Sequence, residues 1–290
     1  MVALTGEGKY GPLLRAAGAA VATLDMPRGR LTWAGMRRLW KILRAEHPDV
    51  VQTWMYHADL LGGVLARLAG RPVVWGIRNS NLDPDKSSAL TRRIARMCGL
   101  ISRCVPVAIA CCAKEARDVH VRMGYAAKKF TVIPNGYDLD QFRPDAAARA
   151  RLRAEWGVPE GVPLLGMVAR LDPQKDHANL FAALARLRAM GATFRAILVG
   201  EGLAPDNAEM ASRLMAAGLG DVVRLMGPRA VMPAVMAALD VHVLSSAYGE
   251  AFPNVLAEAM ACGTLCVTTD VGDAALIVGD AGWVVPPRNA

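Results

Sequence analysis

Aromatic residues are scarce in this sequence, at 6% of 290 positions. Lys and Arg outnumber Asp and Glu by 34 to 26, but no nucleic-acid-binding signature accompanies that excess, so nucleic acid is not an expected partner. The six cysteines form no paired C-x-x-C sets. Cys111 and Cys112 are adjacent, and Cys262 and Cys266 straddle a predicted helix end and strand. Zinc is thereby disfavoured, and buried reduced thiols are expected. No apolar run is long enough to span a bilayer. Met1–Gly6 reads as a strand and lacks the basic start and apolar core of a signal peptide, so the expected compartment is the cytoplasm. Short internal repeats and low-complexity segments are also missing.

What remains is a globular composition, 53% hydrophobic and 21% charged, with length enough for two domains and two cores. The net charge of +8 fits an anionic ligand, an anionic lipid surface, or an arginine-heavy composition with no binding meaning.

Apolar periodicity alternates between strand and helix, which predicts an α/β chain with parallel sheets and helices on both faces. Strands are expected at 2–4, 21–24, 50–53, 72–75, 105–110 and 130–133, with helices at 10–17, 33–45, 58–68, 87–102 and 113–123. Turn chemistry at Pro134-Asn135-Gly136-Tyr137-Asp138 and a charged stretch from Pro144 to Pro163 interrupt the pattern. It restarts with strands at 164–168, 194–199, 222–226, 241–244, 264–268 and 282–285. The expectation is two doubly wound units: a first domain over 1–143, a linker over 144–162 and a second domain over 163–290. Ligands of such sheets bind outside the carboxyl ends of the strands.

The densest motif runs from Gly249 to Gly263, with Glu250 and Glu258 eight positions apart and a helix start between them. Pro253 suits the first helical position, where its missing N–H costs nothing. The free N–H groups of that first turn attract an anion, phosphate above all. Glu258 falls one turn after Asn254, on the same face, and Glu250 sits in the preceding loop. An N–H nest flanked by two acids suits a phosphate joined to hydroxyl-rich groups, that is, a nucleotide sugar.

This stretch resembles the E-x7-E motif of the retaining glycosyltransferases of family 4, which have the GT-B fold of two Rossmann-like domains facing a cleft. Gly166-Met167-Val168-Ala169-Arg170-Leu171-Asp172-Pro173-Gln174-Lys175 is similar to the G-R-L-x-x-x-K element of the same family. The resemblance runs from about Thr5 to the C-terminus and implies that Arg170 and Lys175 hold the donor diphosphate. It further implies that Glu250 contacts the transferred sugar and Glu258 the ribose. Phe252, Pro253, Asn254 and Val255 form the turn against diphosphate or sugar. Positive charge at the leaving oxygen lowers the barrier because negative charge grows there. Leu265 departs from the pattern, standing where a Pro often follows Gly263-Thr264.

The nucleobase is expected on the loop after the third strand of the second domain, with Gly227 and Arg229. Gly200-Glu201-Gly202 is either a turn allowing close ligand approach or a plain turn. In the first domain, His57 resembles a histidine beside the donor sugar; a helix cap is the alternative. Arg78, Asn79 and Asn81 are acceptor-side candidates. Asp138-Leu139-Asp140 reads as a turn, and no metal or other cofactor is expected. Residues 36–44 are basic and amphipathic, with Met36, Leu39, Trp40 and Leu43 on one face. That face is expected to pack on a sheet; contact with an anionic membrane is the alternative.

The resemblance also implies that both ends are incomplete, with an earlier strand, its Gly-rich loop and closing helices left out. The predicted activity is retaining transfer, by front-face displacement, from a nucleotide-diphosphate sugar to a glycan or lipid-linked acceptor of surface polysaccharide synthesis. A sugar-nucleotide epimerase and an inactive donor-binding fragment are the alternatives.

Overall fold

The computed structural model describes residues 1–80 and 88–290. The chain divides into two compact units, Met1–Ile133 and Pro134–Ala290.

The first unit contains β1 (Val2–Ala3), α1 (Gly11–Ala16), β2 (Ala22–Thr23), α2 (Trp33–Glu46), β3 (Val51–Trp54), α3 (Tyr56–Leu68), β4 (Val73–Ile77), α4 (Ala89–Ile101), β5 (Ala108–Cys111), α5 (Lys114–Arg122) and β6 (Phe130–Val132). Strands β3-β4-β5-β6 form one parallel sheet, while β1 and β2, among the described residues, pair only with each other. The first-half strands therefore make two sheets. A cavity of about 860 Å³ separates them, lined by Met1–Leu4 on one side and Val50–Met55 on the other. Thr32 caps α2 by accepting from Gly35 N at 3.2 Å, and Ser88 caps α4 by accepting from Thr91 N at 3.1 Å, as short hydroxyl side chains do at helix starts. In α2, Leu39 and Leu43 are buried and Met36 and Trp40 half-buried. The apolar face of residues 36–44 is thus turned into the protein.

The second unit contains α6 (Ala146–Glu155), β7 (Leu164–Val168), α7 (His177–Ala189), β8 (Arg195–Val199), α8 (Ala208–Ala216), β9 (Val223–Gly227), α9 (Met232–Ala238), β10 (Val241–Leu244), α10 (Asn254–Ala261), β11 (Leu265–Thr269), α11 (Ala274–Val278) and β12 (Gly282–Val285). Its six strands are parallel, in the order β12-β11-β10-β7-β8-β9. The order runs one way from β7 to β9 and the other way from β10 to β12. The reversal between β7 and β10 is a topological switch point, where a crevice opens at the carboxyl ends.

Residues 144–162, expected as a linker, belong to this unit. Asp145 caps α6 by accepting from Ala148 N at 2.8 Å, and Leu152 and Trp156 are buried in the unit's core. Two of the charges that made this stretch look like a connector are spent internally. Arg149 and Arg153 both pair with Asp240, and Asp240 accepts from Leu164 N at 2.7 Å. All six cysteines are free thiols; five are buried, and Cys104 is exposed, contrary to expectation.

Candidate active site

Three loops meet at the switch point of the second sheet. The one after β7 carries Arg170, Asp172 and Lys175. A short 3-10 turn at Pro173–Lys175 ends at Asp176, which adopts a left-handed conformation and caps α7 through Asn179 N at 3.2 Å. The loop after β10 is tied to it: Ala247 N donates to Gln174 O at 2.8 Å, and Ser245 Oγ donates to Lys175 O at 2.8 Å. These bonds fix the base of Lys175, whose Nζ donates to Glu250 Oε1 at 2.5 Å. Ser246 Oγ donates to the same oxygen at 2.6 Å. The third loop, after β11, supports Glu250 from behind. A side chain at Gly272, which has φ +64°, would place its Cβ 2.3 Å from Glu250 O.

Pro253 is the residue flanking α10, not its first helical position, and α10 begins at Asn254 with no side-chain cap. Asn254 Oδ1 accepts from Asn135 Nδ2 at 2.6 Å and Tyr137 Oη at 2.9 Å. The amide NH2 of Asn254 therefore faces away from both donors. Pro253 is buried, and Phe252, Val255 and Glu258 are half-buried. Burial raises the Glu258 carboxyl above its ordinary pKa. Behind Lys175, His242 is fully buried and held neutral, its pKa lowered to about 3 by desolvation and by the Lys175 charge.

Arg170 is mostly exposed and donates to Asp172 Oδ2 at 3.2 Å. Gly200 is a packing glycine: with φ +150°, a Cβ there would lie 2.0 Å from Ala169 O. That gives the plain-turn alternative a physical reason. Gly227 ends β9 at a register irregularity and is buried, whereas Arg229 is exposed. Asp138 is a turn residue, accepting from Asp140 N at 3.0 Å and Gln141 N at 3.3 Å. Sequence reasoning passed over Ser245, Ser246, Asn135 and Tyr137. Two small hydroxyls at the carboxyl end of β10 were the available signal for the serines.

In the first unit, His57 lies inside the first turn of α3, because the helix starts at Tyr56, two residues before the expected position. It is half-buried and lines the cavity beside β3. Beneath it, Tyr56 Oη stands 2.7 Å from His120 Nε2 and 3.2 Å from Asn79 Oδ1. Burial keeps His120 neutral, lowering its pKa to about 4. Arg78 stacks over Trp54 at 5.8 Å, and Asn81 lies outside the described residues. Asp59 is fully buried, with Thr53 Oγ1 donating to its Oδ1 and, among the described residues, no hydrogen-bond partner on Oδ2; burial pushes its pKa up to about 7.

Residues 4–141 match the family model described as Glycosyltransferase Family 4, and residues 162–290 match the one described as Glycosyl transferases group 1. The chain belongs to the family 4 glycosyltransferases. Among curated members, it is 29% identical over 281 residues to a 2-deoxystreptamine glucosyltransferase of Streptomyces kanamyceticus, covering 89% of this chain and 71% of that one. It is 27% identical over 253 residues to an Escherichia coli UDP-Gal:alpha-D-GlcNAc-diphosphoundecaprenol alpha-1,3-galactosyltransferase, covering 80% of this chain and 60% of that one. The fold is similar to the Anabaena protein HepE solved with UDP, with a TM-score of 0.85 at 26% identity, covering 99% of this chain and 78% of that one. HepE with UDP-glucose gives a TM-score of 0.81 at 25% identity, covering 98% and 77%. Both are GT-B glycosyltransferase neighbours, and the two α/β units here carry the same architecture.

Proposed function

We propose that this family member transfers a sugar from a nucleotide-diphosphate sugar to a glycan or lipid-linked acceptor, with retention, in cytoplasmic assembly of a surface polysaccharide. One observation carries the reading: Lys175 and Glu250 converge at the switch point of the second sheet, next to the α10 N-terminus. That supplies a cation and backbone N–H groups for a diphosphate, and a carboxylate for the hydroxyls of the attached sugar. HepE, with which the chain shares its fold, was solved with UDP and with UDP-glucose, which supports a uridine nucleotide as the first donor to test.

In this reading Lys175 and Arg170 meet the diphosphate, Glu250 the transferred sugar and Glu258 the ribose. Gly227 and Arg229 border the nucleotide, and Gly200 packs beneath them as a turn glycine. His57, Arg78 and Asn79 serve the sugar and acceptor side. The bond from the anomeric carbon to the diphosphate oxygen breaks while the acceptor hydroxyl bonds on the same face, and its proton passes to the departing phosphate. Lys175 acts mainly on the transition state, where charge on that oxygen is largest. The fixed cations and helix N–H groups neutralise the diphosphate, so the proposal needs no metal.

Calorimetry of the chain with UDP-, GDP- and ADP-sugars, paired with product analysis, tests the reading. Saturable binding of one class is expected, with transfer or slow hydrolysis that keeps the anomeric configuration. No binding to any donor, or conversion to an isomeric sugar nucleotide without acceptor, would contradict it.

A further inference from the structure

The carboxyl end of the first unit's four-stranded sheet carries an arrangement that the donor site does not use. Trp54 ends β3 and stands in register with Gly76 on β4. Its indole fills the place that a side chain at 76 would take: a Cβ built on Gly76 would lie 2.9 Å from Trp54 Cε3 and 3.2 Å from Cδ2. The glycine thus lets the ring lean over β4, away from the cavity edge of β3. Gly76 is buried beneath it, whereas Trp54 keeps 51% of its surface in water.

The next residue is held against its backbone preference. Met55 has φ +75° and ψ 147°, at the edge of a region essentially confined to glycine. Glycine would turn the chain from β3 into α3 with less strain, yet a methionine stands there, 58% exposed. Strain of this kind clusters at functional sites. Two large apolar side chains therefore meet water side by side at a strand's carboxyl end, where open α/β sheets take their ligands. Polar groups border them. The Arg78 guanidinium lies 5.8 Å from the Trp54 ring centroid and offers N–H donors but no acceptor. Asn79 follows it, 3.2 Å from Tyr56 Oη.

We infer that Trp54 is a stacking platform for a pyranose ring of the acceptor, with Arg78 donating to that sugar's hydroxyls. A pyranose has a face of C–H groups that lies on an indole and a rim of oxygens that accepts from a guanidinium. An apolar surface with a few placed donors is what such a ligand requires. An acyl chain gives a guanidinium nothing to bond. A nucleobase also stacks on indole, so uridine is the comparison ligand. The inference rests on the proposed transfer reading only in calling this sugar the acceptor, and it adds the side chain that selects it.

The test labels the whole chain with fluorotryptophan and identifies the Trp54 fluorine signal by its loss in Trp54→Phe. Methyl glycosides and disaccharides of glucose, galactose and N-acetylglucosamine are titrated in without donor, alongside uridine. A saturable shift of the Trp54 signal with at least one saccharide, and none with uridine, is expected. With that saccharide as acceptor, Trp54→Ala should raise the acceptor KM about tenfold. Trp54→Phe should recover part of the loss, and the donor KM should stay near the parent's. Met55→Gly should melt no lower than the parent, since relief of strain offsets the added freedom of the unfolded chain, yet bind the saccharide more weakly. A chain that holds a nucleotide sugar while no saccharide shifts Trp54 would overturn this inference and leave the donor reading standing. An equal shift with uridine, or an unchanged acceptor KM in Trp54→Ala, would overturn it too.

Discussion

Lys175 Nζ and Glu250 Oε1 sit 2.5 Å apart across 75 positions of sequence, in a pair whose side chains are both largely shielded from water. The loops after β7 and β10 are bound to each other by the Ala247 N–Gln174 O backbone bond and by the Ser245 hydroxyl, so the pair is set by the switch point of the sheet and not by side-chain chance. Each charge holds the other in place until a diphosphate offers Lys175 a second anion.

Removing Lys175 therefore acts in two separable ways. Lys175→Ala should lower the transfer rate by about 10² to 10³, the usual cost of losing a group that meets developing charge. It should also destabilise the donor-free protein by about 3 kcal/mol, because Glu250 is left buried without its cation. Adding Glu250→Ala should restore most of the stability and none of the rate. Thermal melts and single-turnover kinetics on the double-mutant cycle check both parts.

Glu258 lies one turn into α10 and is half-buried with a raised pKa. If it accepts from ribose hydroxyls, Glu258→Ala should weaken donor binding about tenfold while the rate at saturation changes little. The affinity of the parent should fall as pH drops through the carboxyl range, since protonation removes the acceptor. Titration calorimetry over a pH series reads both effects.

Asn135 and Tyr137 hold Asn254 Oδ1, which leaves the Asn254 amide donors facing outward at the α10 tip. Tyr137→Phe removes one of these bonds without changing the ring. The expected result is a donor KM raised about fivefold, with kcat and melting temperature close to the parent's, since one neutral hydrogen bond contributes about 1 kcal/mol.

Asp59 gives a pH signature independent of catalysis. Its folded pKa of about 7 stands well above the ordinary aspartate value because burial disfavours the carboxylate. The native state thus holds the proton more tightly. Its stabilising contribution is complete below about pH 4 and is lost as pH rises through about 7. Asp59→Asn, which keeps an acceptor for Thr53, should match the parent at the acid end and exceed it by up to about 4 kcal/mol near pH 8. Chemical denaturation at the two pH values checks the sign.

Much of this architecture was legible in the sequence, because buried parallel strands read as short apolar runs. β7, β10 and β12 fall on the residues their runs predict. The two-acid motif and the cation loop stood out for the same reason that they matter: charge and a helix start recur at strand ends. Non-local pairing stayed hidden. Nothing near Glu250 in sequence announces Lys175, 75 positions earlier, as its partner, and the turn at Pro134–Asp138 gives no sign of reaching Asn254. The stretch holding Arg149 and Arg153 read as a linker because Asp240, which pairs with them, comes about ninety positions later. Gly200 was ambiguous because a packing glycine and a ligand-facing glycine look alike until Ala169 O is seen against it.

The most direct test is a crystal structure of the chain with a nucleotide-diphosphate sugar bound. The account predicts the diphosphate within hydrogen-bonding distance of Lys175 Nζ and the backbone N–H groups of Asn254 and Val255, with Glu250 on the sugar and Glu258 on the ribose. A nucleotide sugar seated on the second unit with its diphosphate away from Lys175 and the α10 tip would contradict it.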